Sequence, residues 1–119
     1  MAFNLRAIPS LVLIFALTSS GVFAHSTKEE TEPADSAVLT IPPDAIGMQF
    51  DMPMRVTLIS LTDADGRDYA LTRSDDMQPV SEFSAVPPDL PSGRYTVEWR
   101  GLAEDGHPMQ GAFSFEIKE

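Results

Sequence analysis

The chain reads as all-β: an Ig-like antiparallel β-sandwich or Greek-key barrel of about seven short strands. Three observations predict this. Short apolar stretches alternate with period two, ten prolines and several turn residues break them at close spacing, and no long helical period runs through the chain.

The elements follow in order. Residues 1–24 read as a cleaved signal peptide: a short start with the single charge of Arg6, an apolar run over residues 7–17, small residues, then Val22-Phe23-Ala24. The run is too short and interrupted for a span of about 20 residues, so no membrane insertion is expected after cleavage. The mature domain is then 25–119, and its first residue is His25. Residues 26–35 are polar, with Pro33 near the end, and read as an extended arm that a metal at His25 would pin.

Residues 37–41 form a short apolar run stopped by Pro42-Pro43. Ile46, Met48 and Phe50 share one face of a strand. Residues 55–61 alternate as a separate strand, with Val56, Leu58 and Ser60 opposite Thr57, Ile59 and Leu61. Asp63-Ala64-Asp65-Gly66 is a turn, with Gly66 suited to positive φ. It lacks the full spaced acidic set of a calcium loop. Tyr69-Ala70-Leu71 and residues 81–86 are further strands. Pro91-Ser92-Gly93 turns into a strand with Tyr95, Val97 and Trp99 inward, and residues 111–117 close the domain with Phe113, Phe115 and Ile117 on one face.

Composition narrows the function. There is no cysteine, so disulfides and thiolate metal sites are absent. The formal charge is −10, and it becomes −11 once Arg6 leaves with the leader. Such a chain does not suit nucleic acid or an anionic membrane surface, both of which call for Lys and Arg.

Two histidines remain for chemistry, His25 and His107. Cleavage gives His25 a free α-amino group beside its imidazole, and together they can chelate one ion. His107 lies in Glu104-Asp105-Gly106-His107-Pro108, where Gly106 lets the Asp105 carboxylate and the imidazole converge. Two nitrogens from His25, one from His107 and an oxygen from Asp105 would form a tetragonal N,O site that favours Cu(II). Zn(II) could use the same atoms. Alone, Asp105-Gly106 also reads as an ordinary turn with a solvated His beside it. Met48, Met52 and Met54 share a strand parity and are expected to fill the core rather than form a soft-metal site. Glu104 is expected to be an exposed turn charge, and Trp99 a core residue.

The segment from Trp99 through Asp105-Gly106-His107-Pro108, followed by Gly111-Ala112-Phe113-Ser114-Phe115, resembles the C-terminal signature of the CopC family of bacterial periplasmic copper-binding proteins. Pro33-Ala34-Asp35-Ser36 and Phe50-Asp51-Met52-Pro53 resemble two further elements of that family. The resemblance implies Cu(II) ligation by His25 through amine and ring, by Asp105 and by His107. It also implies a carrier or buffer role in copper resistance or homeostasis, with an inner-membrane copper transporter as partner. Thr27, Lys28 and Ala103 depart from the family pattern, which in many members has His, Leu and Ser there. Thr27 favours a single Cu(II) site, and Lys28 bears on how the arm docks. Two other classes remain: a copper-brace oxidative enzyme, disfavoured because Asp105 would fill an open equatorial position, and a β-sandwich binding module without metal.

Overall fold

The computed structural model describes residues 29–119, which form eight strands and no helix. They are β1 (Glu29–Glu32), β2 (Ala37–Leu39), β3 (Ile46–Asp63), β4 (Asp68–Tyr69), β5 (Thr72–Arg73), β6 (Val80–Val86), β7 (Gly93–Ala103) and β8 (Pro108–Ile117). The expected signal peptide, residues 1–24, and His25 lie outside the described residues.

One hydrogen-bonded sheet, ordered β2-β8-β7-β3-β6-β5 with β1 and β4 also on β3, curls into a sandwich. The 18-residue β3 makes this possible. Its first part pairs with β1 on one edge and β6 on the other. Its second part pairs with β7 and β4. The changeover falls at residues 50–53, where the register against β6 shifts and Pro53 sits. Proline has no N–H to give a ladder, so it suits a point where pairing is interrupted.

The period-two expectation holds for most of the core. Ile46, Met48, Phe50, Phe83 and Ala85 come from one layer, and Val56, Leu61, Tyr95, Val97, Trp99, Phe113, Phe115 and Ile117 from the other. Rings bridge the layers: Phe50 meets Trp99 edge-on at 5.3 Å between centroids. Tyr95 stacks on Phe115 at 5.4 Å, and its hydroxyl donates to the Pro91 carbonyl. Gly66 takes the positive φ its turn requires, and Asp63 accepts from the backbone N–H of Asp65 and Arg67 and from the Tyr69 hydroxyl.

Several expectations are corrected. The two strands expected at residues 46–50 and 55–61 are one. Within it a bulge between Val56 and Leu58 reverses the inward parity, so Val56 is buried, Leu58 is exposed, and Leu61 is buried. Met48 and Met54 fill the core, but Met52 is 50% exposed because it lies at the changeover. Residues 69–71 are not one strand: Tyr69 pairs with Leu61, whereas Thr72 pairs with Val86, so the chain crosses between strand partners at Ala70 and Leu71. The pairing is antiparallel except for β2 with β8, which is parallel.

The arm is also more structured than its polarity suggests. Residues 29–32 pair with β3 from Glu29 opposite Phe50 to Glu32 opposite Gly47. Beyond them, the Asp35 carboxylate accepts from the Ser114 N–H at 3.0 Å, and the Ser36 N–H donates to the Ser114 carbonyl at 2.7 Å. Asp35 and Ser36 thus tie the segment after β1 to β8.

Candidate metal centre

The candidate centre is built on the turn between β7 and β8. Leu102 and Pro108 form the last paired positions. The Ala103 N–H then donates to the His107 carbonyl at 2.9 Å, and the Gly106 N–H donates back to the Ala103 carbonyl at 2.8 Å. That leaves Glu104, Asp105 and Gly106 as a three-residue loop, and Gly106 takes φ +86°, the left-handed conformation such loops require.

This closure brings Asp105 and His107 together. Asp105 Oδ1 accepts from the His107 backbone N–H at 3.1 Å, and Oδ2 lies 2.5 Å from His107 Nδ1. The backbone N–H is the main cause holding the Asp105 carboxyl below its usual pKa, with the ring contact second. Both side chains face solvent, His107 at 77% and Asp105 at 63% exposure. The Asp105 carboxylate holds the ring by its Nδ1 side, which leaves Nε2 facing away from that contact. Glu104 is exposed, as expected.

The pair supplies two donor groups. Among the described residues no group of three His, Asp or Glu side chains is placed to hold an ion. The third candidate, His25, lies outside the described residues.

The strand register nevertheless relates the arm to the turn. β1 and β7 lie on the same edge of β3, end to end. This follows because β6 and β7 share Met54 as partner, so they flank opposite edges, while β1 and β6 flank opposite edges at residues 47–49. Glu29 stands opposite Phe50, and Ala103 stands opposite Met54. Since β1 runs antiparallel to β3, the end of β1 nearer the N-terminus faces Ala103, two residues before Asp105.

One contributor to this region was not read from the sequence. Glu29 shares its side-chain face with Phe50, and its Oε1 lies over Gly111, beside the Trp99 indole. Loss of hydration there raises its carboxyl pKa. An acidic residue in a polar arm gave no signal of this; the register with Phe50 sets the still exposed Glu29 on the side of the Trp99 indole.

Residues 28–118 match the CopC domain family. Copper resistance protein C of Xanthomonas campestris pv. juglandis is 27% identical, covering 98% of this chain and 99% of that protein. Copper resistance protein C of Escherichia coli is 26% identical, covering 95% and 96%, and protein YobA of E. coli K12 is 25% identical, covering 90% of each. Among solved structures, CopC from Methylosinus trichosporium OB3b superposes with a TM-score of 0.66 at 22% identity, covering 77% of this chain and 93% of that one. PcoC, a copper resistance protein from E. coli, gives 0.60 at 22% identity, covering 75% and 96%.

Proposed function

The chain belongs to the CopC family, and from that premise we propose that its mature form, beginning at His25, is a periplasmic Cu(II) carrier or buffer in copper resistance. The ligands in this reading are the amine and imidazole of His25, the Asp105 carboxylate and the His107 imidazole. The observation that supports it is that β1 and β7 lie end to end on one edge of β3, with Glu29 at the end of β1 nearer Ala103.

Reach supports it. Four positions separate His25 from Glu29, and an extended stretch of that length spans about 13 Å. Four positions also separate Phe50 from Met54 along β3, again about 13 Å in an extended strand. An arm continued in the same register would bring His25 level with Ala103. Amine, imidazole and carboxylate donors suit Cu(II) and do not suit Cu(I), which prefers thioethers and thiolates. The half-exposed Met52 and Met77 do not alter this, because neither belongs to a dense methionine cluster. A transporter in the inner membrane is the partner we infer for a carrier of this kind.

The test is a Cu(II) titration of protein starting at His25 against protein carrying one extra residue before it, together with H107A. Each change should weaken binding about a hundredfold or more, since even outer-shell partners of a metal ligand are worth 10–100-fold. Equal affinity of the extended protein would remove the amine from the site. Unchanged affinity in H107A would remove the turn.

A further inference from the structure

Trp99 is only 2% exposed, yet its indole N–H has no hydrogen-bond partner among the described residues. A buried donor left unpaired costs the full desolvation of that group, so its surroundings call for an acceptor. Gly111 stands opposite Trp99 in the β7–β8 pairing. A Cβ at Gly111 would lie 2.6 Å from Trp99 Nε1 and 3.0 Å from Glu29 Oε1. The two polar atoms therefore border the same gap that glycine leaves open; no hydrogen bond joins them as they stand, and a rotation of the Glu29 side chain is the movement that would make one.

We propose that Glu29 is a positioning residue for the metal centre: its carboxylate, which borders the gap over Gly111, swings onto the Trp99 indole N–H, accepts a hydrogen bond from it and so latches the arm that carries His25. The role rests on the copper reading above. Three observations converge on it: the orphaned indole, the missing Cβ, and the pairing of Glu29 with Phe50, whose ring packs edge-on against Trp99. The carboxyl is partly dehydrated there although the residue as a whole stays exposed, so its side chain is free to turn. The latch touches no metal. It fixes the direction in which the chain leaves β1, and with it the end of the arm at which the amine and imidazole stand.

The chemistry separates the variants. E29Q keeps an acceptor oxygen and sheds the cost of desolvating a charge, so it retains the latch. E29L fills the same space and offers no acceptor. E30L changes the neighbouring residue on β1, whose pairing with Gln49 gives it the opposite face, and serves as the control.

The experiment has two readouts on protein beginning at His25. In the metal-free protein, the Trp99 indole N–H resonance should move upfield in E29L and stay near its native position in E29Q and E30L. In Cu(II) titrations, E29L should bind about tenfold more weakly, the low end of the range for outer-shell partners, while E29Q and E30L stay within about twofold of the native chain. An indole resonance unmoved in E29L overturns the latch. A moved resonance with unchanged copper affinity overturns the positioning role. A native chain that binds no Cu(II) sinks the copper reading and the positioning role together, whereas the indole readout still decides who accepts its proton.

Discussion

Arg73 satisfies several groups at once. Its guanidinium donates to Asp75 Oδ1 at 2.8 Å and Oδ2 at 2.7 Å, and to the Val56 carbonyl at 2.5 Å beside the β3 bulge; it also lies 5.2 Å from the centre of the Phe83 ring. A planar, five-donor fork can do this and an ammonium cannot. The Asp75 side chain is only 5% exposed, so it depends on that partner. R73M would keep apolar cover on Phe83 but strand the carboxylate; urea unfolding at pH 7 should show a loss of about 2–3 kcal/mol, below the full cost of breaking a buried pair because Arg73 is itself partly exposed. The hydrogen bond from Arg73 is the main cause lowering the Asp75 pKa. A carboxyl lowered on folding stabilises above its unfolded pKa, about 3.9, and that contribution is lost as pH falls through the lower folded value. D75N should therefore be less stable than the native chain at neutral pH, with the gap closing below about pH 4. Asp63 is lowered in the same direction by the Arg67 backbone N–H, but it is present in both proteins and drops out of the comparison.

At the scale of single strands, β3 separates what alternation reveals from what it hides. Ile46, Met48 and Phe50 were readable because every second residue is apolar. Alternation misassigned Leu58 because period two assumes equal counts on both strands, and at the bulge Thr57 and Leu58 together span the step that β7 covers from Gly101 to Arg100. β1 was unreadable as a strand, since Glu29-Glu30-Thr31-Glu32 has no apolar residue and is held by backbone pairing. Asp105-Gly106-His107 was legible as a turn, and it took the resemblance to the CopC signature to single it out as a candidate site, whereas the place of Glu29 beside Gly111 depends on a register that only the folded chain defines. The bulge gives a direct check. Removing Thr57 would leave Val56 opposite Gly101 and Leu58 opposite Arg100 in an unbroken ladder, with Val56, Ile59 and Leu61 still inward. That variant should fold, losing about 1–3 kcal/mol. Removing Ser60 would turn Leu61 outward and break the core, so it should fail to give a cooperative thermal transition by circular dichroism.

At the scale of the whole molecule, a domain without cysteine holds together through one curled sheet whose two layers share a strand. The candidate centre lies at the tip of β7 and β8, and β1 lies end to end with β7 on the same edge of β3. That arrangement needs no cleft. β3 has a further consequence, for the way the molecule opens. Because its backbone amides are bonded to β1 and β6 along the first part and to β4 and β7 along the second, neither layer can lose its pairing while the other keeps a complete partner. The sandwich has two layers but should behave as one foldon. Native-state hydrogen exchange should give the amides of β6 and β7 the same opening free energy, equal to that of global unfolding, with only β1 and the turn before Pro108 exchanging sooner.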